Sequence, residues 1–182
     1  QGAMAALLGA ELEQAAAIAA EAAQGEVCAV ANDNGGGQVV ISGHAGAVER
    51  ALIIAAGQGL KRAVRLPVSA PFHCPLMQPA ADAMADALAA VDLKAPCVPV
   101  VANVTAAPTS DPEAIRALLV EQVTGMVRWR ESVQAMKGLG VTKLVEVGAG
   151  KVLAGLTKRI DKEVAAVSLG LPADIDAFLA AK

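Results

Sequence analysis

Tyrosine is absent from this chain, phenylalanine occurs twice and tryptophan once, so its 55% hydrophobic content rests on Ala, Val and Leu. The core is therefore aliphatic, with helices able to approach closely across alanine faces. Three cysteines, Cys28, Cys74 and Cys97, form neither a CxxC pair nor an even set. That excludes a disulfide framework and fits a reducing compartment. The two histidines are as scattered as the cysteines, so no metal site is expected. Basic residues are not in excess: the net charge is −3, which argues against nucleic acid as the partner. No apolar run approaches the ~18 residues of a membrane span. The best one, ALIIAAG at 51–57, is short and flanked by charge. The N-terminus lacks the basic and apolar regions of a secretory signal. Its opening, QGAMAALLG, does not start with Met and already reads as a strand. These exclusions leave a cytoplasmic enzyme, or part of one, as the expectation, with the chain cut from something longer.

What is present falls into two rhythms. The first half reads as strand MAALLG (4–9), helix ELEQAAAIAAEAA (11–23) and strands VCAVAN (27–32) and QVVISG (38–43) joined by DNGGG. Helix HAGAVERALIIAAGQG (44–59) and strand RAVRLPVS (62–69) follow. The order β-α-β-β-α-β is the split βαβ, ferredoxin-like unit. In the second half, helix 77–92 leads to strand VPVVANV (98–104). A loop follows in which Ser110 or Asp111 caps a helix running to about Thr124. Helix RESVQAMKGLG, strand KLVEVG (143–148), helix KVLAGLTKRI (151–160), strand VAAVSL (164–169) and a short terminal helix complete it. Alternating strands and helices predict a mainly parallel sheet of three or so strands, whose missing strands would lie upstream of Gln1.

The segment VSAPFHCPLM, Val68 to Met77, places His73 where a strand ends and a helix begins, a usual setting for functional side chains. A lone histidine near apolar residues is more often structural. Here Pro71 and Pro75 bracket it and stiffen its backbone, and an imidazole so held is a natural general base. Cys74 is adjacent, but consecutive residues of an extended chain face opposite sides, so the thiol is read as buried and inert. Ser69 lies in the same segment, and no GxSxG nucleophile elbow occurs anywhere. EVGAGKVL (146–153) resembles a phosphate loop superficially. A Walker motif would need Gly at 145 and Ser or Thr at 152, and both are Val. A tight strand-to-helix turn is the better reading. Taken alone, Asn34-Gly35 is a hairpin turn, Lys61-Arg62 a solvated pair, His44 a surface or capping residue and Trp129 a helix anchor.

Together, in this order, GAMAALLG, NDNGGGQVVISGHAGAVERA, KRAVRLPVSAPFHCPLM, PVVANVTA, AIRALLVEQVTGMVRW and EVGAGKVLAGLTKRI resemble the malonyl-CoA:acyl carrier protein transacylase family. The resemblance covers nearly the whole chain. It implies an α/β fold with a ferredoxin-like small subdomain, here 1–69, and the C-terminal part of an α/β-hydrolase-like large subdomain, here 70–182. It implies ping-pong transfer of malonyl from malonyl-CoA to the phosphopantetheine thiol of acyl carrier protein, in fatty acid biosynthesis. No cofactor, nucleic acid or membrane is involved, and the complete protein is expected to be a monomer. By the same resemblance His73 is the catalytic base and the main-chain carbonyl of Gln122 holds its other nitrogen. Phe72 matches the position that carries Phe in malonyl-selective relatives, where a ring leaves little room for an α-methyl. One methyl gives only ~1–3 kcal/mol of discrimination. Asn32 and Asn34 match an Asn-x-Asn beside the cleft, although Asp33 and three glycines depart from the usual Asn-x-Asn-Ser-Pro. Lys61 and Arg62 match basic residues facing CoA phosphates or the acidic carrier protein.

The family's oxyanion loop, elbow serine and malonate-binding arginine belong to a segment upstream of this sequence. The 182 residues alone are therefore expected to be inactive, and poorly soluble because a sheet without its upstream strands exposes apolar edges. Two other readings compete with the stand-alone transacylase. One is an acyltransferase domain of a polyketide synthase, and the other is a noncatalytic ferredoxin-like binding module.

Overall fold

The computed structural model describes residues 1–181 and divides the chain into two compact units, one of residues 1–132 and one from Val133 onward. The first unit opens with β1 (Gly2–Leu8), α1 (Leu12–Ala23), β2 (Cys28–Asp33), β3 (Gln38–His44), α2 (Ala45–Gly57) and β4 (Arg62–Arg65). The strands form one antiparallel sheet in the order β2-β3-β1-β4, as a split βαβ unit requires. Alternation along β1 sorts its residues between two faces. Ala3, Ala5 and Leu7 join Val39 and Ile41 beneath Ala15, Ile18 and Ala22 of α1 and Val48, Ala51 and Ala55 of α2. Alanines on both helices let them lie close to the sheet, and that core is fully enclosed. The opposite, helix-free face carries Met4, Ala6, Ala31 and Val40, with Leu66 packed against them.

The DNGGG segment makes the hairpin turn. Gly35, Gly36 and Gly37 all have positive φ, between 58° and 69°, a region open to glycine at little cost. Asp33 Oδ1 accepts from the Gly35 amide, and the Gln38 amide donates to the Gly35 carbonyl.

After β4 come a single 3₁₀ turn (Pro75–Met77), α3 (Gln78–Ala89), β5 (Val100–Ala102), β6 (Ala107–Thr109) and α4 (Pro112–Thr124). Asp111, rather than Ser110, caps α4: its Oδ1 accepts from the Glu113 amide at 3.1 Å. Helix α5 (Trp129–Gly138) contains the division between the units. The second unit adds β7 (Lys143–Val147), α6 (Val152–Ile160), β8 (Ala165–Leu169) and α7 (Pro172–Ala180).

The predicted three-stranded parallel sheet is not what forms. Among the strands of the described residues only β7 and β8 pair in parallel, and β5 pairs antiparallel with β6. Ala106, at φ 52°, turns the chain back after β5 into that hairpin.

Candidate active site

His73 sits at the centre of a tight turn between β4 and α3, with φ 58°. A side chain in the left-handed region costs roughly 1–3 kcal/mol and persists only where surrounding contacts impose it. Several contacts do so. Cys74 is wholly buried, and its Sγ donates to the Pro71 carbonyl at 3.2 Å, closing the turn beneath His73. The Cys74 carbonyl accepts from the Met77 amide, which starts the 3₁₀ turn. The Pro71 ring lies directly over Gly2 of β1.

The imidazole is anchored at one nitrogen. Nδ1 lies 3.0 Å from the Gln122 carbonyl oxygen on the last turn of α4. A carbonyl only accepts, so Nδ1 carries the proton, and in the neutral ring the lone pair is on Nε2. The Gln122 side-chain Nε2 donates to the Gly125 carbonyl at 3.1 Å and also lies 3.4 Å from His73 Nδ1, so main chain and side chain of Gln122 both border that nitrogen. The other histidine has the opposite tautomer, since His44 Nδ1 accepts from the Val27 amide at 2.9 Å. His44 thus ties the chain entering β2 to the end of β3, a structural task.

Asn32 reaches the helix-free face through a bulge. Val30 pairs with Ile41 and Asn32 pairs with Val40, leaving Ala31 as the extra residue. Without that insertion Asn32 would oppose Val39 and point toward the helices. The bulge turns it to the side of Val40, because cross-strand partners share a face. Gly2, alternating with Ala3, lies on the same side, and so does the Pro71 ring above it. His73 and Gln122 are thus brought together, and Asn32 lies on the sheet face against which the Pro71 ring rests. Phe72 is 39% exposed. Asn34 stands in the hairpin turn, half-buried, its amide donating to the Gln38 carbonyl. Lys61 and Arg62 are exposed at the start of edge strand β4, and neither hydrogen-bonds to the His73 turn. Ser69 is exposed just before that turn. An apolar groove of about 140 Å³ opens beside Gln122, lined by Val101, Ile115, Leu118 and Leu119 among others.

Sequence reasoning missed the brace behind this arrangement. Residues 31–33 of β2 take the segment around Val127 as a neighbour. Val127 donates to the Ala31 carbonyl and accepts from the Asp33 amide. Asp33 is 2% exposed, and its Oδ2 pairs with Arg130 Nε at 2.8 Å. That hydrogen bond raises the Arg130 pKa above its ordinary value. The one signal was the departure already noted, an acid between the two asparagines.

In the second unit, the EVGAGKVL turn holds its own anion. Glu146 accepts from the amides of Leu153 and Ala154 at 3.1 and 2.9 Å, and from Ser168 Oγ at 3.1 Å. These bonds, the Ala154 amide first, hold its carboxyl below the usual range. The helix end that a phosphate would need is already filled.

No protein-family model matches the chain. Among curated proteins, the malonyl CoA-acyl carrier protein transacylase of Escherichia coli K12 is 48% identical over 178 residues, which is 98% of this chain and 58% of that protein. Among solved structures, acyl-carrier-protein-S-malonyltransferase from Bartonella henselae superposes with a TM-score of 0.94 at 52% identity, covering all of this chain and 58% of that one. A complex of a type II polyketide synthase acyl carrier protein with its malonyl-transacylase gives 0.94 at 41% identity, covering 59% of the matched chain. No helix among the described residues is long and apolar enough to cross a membrane. Along nearly its whole length, the chain is thus related to the malonyl CoA-acyl carrier protein transacylases, and it spans about 58% of their length.

Proposed function

We propose that this chain supplies the base of a malonyl transferase, acting with a serine nucleophile that lies outside these 182 residues. The observation that carries the reading is the His73 imidazole, fixed at Nδ1 by the Gln122 carbonyl with Nε2 left to work. In the first half-reaction, serine Oγ attacks the malonyl thioester carbonyl while His73 Nε2 takes its proton. The C–S bond breaks, and the CoA thiolate leaves with that proton. In the second, the phosphopantetheine thiol of acyl carrier protein gives its proton to Nε2 as sulfur attacks the malonyl ester. The serine alkoxide leaves and recovers the proton. A neutral carbonyl orients the ring without placing a second negative charge beside malonate. The exchange changes no oxidation state, so malonyl-CoA enters as a substrate and no cofactor is needed.

In this reading residues 1–69 contribute Asn32, Asn34, Lys61 and Arg62 to binding malonyl-CoA and the carrier protein, and residues 70–182 contribute the base and its orienter. Phe72 narrows the acyl pocket against an α-methyl. Three free thiols support a reducing, cytoplasmic setting. The absence of a GxSxG elbow supports inactivity of the 182 residues by themselves.

The test is intact mass after mixing malonyl-CoA with this chain and, separately, with the full-length product of its gene, each also as His73→Ala. A malonyl adduct on the full-length protein alone is expected, with turnover ~10²–10⁴-fold slower in the variant. An adduct on the 182 residues would relocate the nucleophile to Cys74 or Ser69. No adduct on either would remove the transferase reading.

A further inference from the structure

We propose that Gly2 is a positioning residue for His73, an inference that rests on the function proposed above. Gly2 adopts an ordinary strand conformation within β1, so it is not there for a backbone angle. It is there for space. A Cβ at position 2 would lie 2.7 Å from Pro71 Cβ, 2.5 Å from Cδ and closer still to Cγ. Contacts that short do not occur between real atoms, so one partner must move.

Gly2 cannot be the one to retreat. It is paired with His44 across β1 and β3, and the preceding residue's carbonyl holds the Ala45 amide at the start of α2. Pro71 must shift instead. Its ring fixes its own φ, and its carbonyl is the acceptor of the buried Cys74 thiol. A displacement of Pro71 therefore passes to the strained residue between them and the imidazole, two positions on. The Nδ1 bond to Gln122 is then stretched or lost, and the neutral ring is free to change tautomer.

Gly2 thus acts through Pro71, and Pro71 through the turn. Substituting alanine in the full-length protein is expected to lower kcat for malonyl transfer by ~10–100-fold, the scale of a misplacement of about 1 Å, with KM for malonyl-CoA nearly unchanged. The discriminating variant is Pro71→Gly, which removes all three ring atoms, Cβ included, that a Cβ at position 2 would strike. Alone it should cost less than Gly2→Ala, and the double variant should be no worse than Pro71→Gly.

Imidazole ¹⁵N shifts provide a readout that does not depend on activity. In the unaltered protein His73 should carry its proton on Nδ1 and His44 on Nε2. Gly2→Ala should drive His73 toward a tautomer mixture, and the double variant should show the tautomers of Pro71→Gly. Normal kcat and an unchanged His73 in Gly2→Ala would overturn the proposal, as would losses that multiply in the double variant. Should Gly2→Ala fail to fold, folding of the double variant alongside Pro71→Gly supports the contact, and its failure to fold overturns it. If the unaltered full-length protein transfers no malonyl, the proposed function falls. The ¹⁵N comparison among the same proteins then decides the role of Gly2.

Discussion

The sheet of the first unit and that of the second are built from much the same alanine, valine and leucine, yet they bury these residues very differently. In β1 and β3, Leu7 and Ile41 are fully enclosed between the strands and two helices. In β7, Val145 and Val147 are 37% and 74% exposed on a sheet of only two strands. Hydrophobic composition alone does not make a core. A strand must have neighbours on both edges and a helix across its face before aliphatic side chains leave water.

That difference sets the largest expected effect. Ile41→Ala opens a cavity beneath α1 and α2, in a core with nothing large enough to fill it, and should cost about 4 kcal/mol in chemical denaturation. Val147→Ala should change stability by no more than about 0.5 kcal/mol. Equal losses at the two positions would break the contrast between the sheets.

The Asp33–Arg130 pair is expected to come next, and to be asymmetric. Arg130→Met leaves a carboxylate that is 2% exposed without its partner and should cost about 3 kcal/mol. Asp33→Asn leaves a guanidinium that is 38% exposed and can turn to water, so about 1 kcal/mol is expected. If the asparagine variant were the worse of the two, the Asp33 carboxylate would matter for the Gly35 turn more than for Arg130.

The βαββαβ order was legible because its signals are local: a period of two in the strands, apolar stripes in the helices, glycines where each ends. The Asp111 cap was legible for the same reason. Features made by distant residues were not. Asp33 and Arg130 are 97 positions apart, and neither implies the other. His73 and Gln122 are 49 apart, and family resemblance, not spacing, connected them in the sequence. The bulge that redirects Asn32 has no residue signature, because Ala31 looks like any strand alanine. Strand β6 escaped notice because it is three residues long with a proline in the middle. The crowding at Gly2 depends on a ring that arrives from residue 71, so nothing beside it in the chain announces its purpose.

The smallest expected effect belongs to the second unit and depends on pH. Burying little, that unit relies more on polar contacts such as Glu146 at the start of α6. The folded-state pKa of this carboxyl is depressed, chiefly by the Ala154 amide. Its stabilising contribution is therefore fully present above the ordinary carboxylate pKa and is lost as pH falls through the lower folded value. Asp161, held down by Lys137, and Asp174, held down by the Leu171 and Gly170 amides, add losses of the same sign. Protection factors at Leu153 and Ala154, taken against the slower intrinsic exchange in acid, should thus fall on acidification, and Glu146→Gln should flatten that dependence without abolishing it. A glutamine keeps an acceptor at the helix end but no charge, so the variant should also exchange faster near neutral pH. If the two proteins had the same acid slope, the bonds to Glu146 would be geometry without consequence, and the acid sensitivity of the second unit would have to come from Asp161 and Asp174 instead.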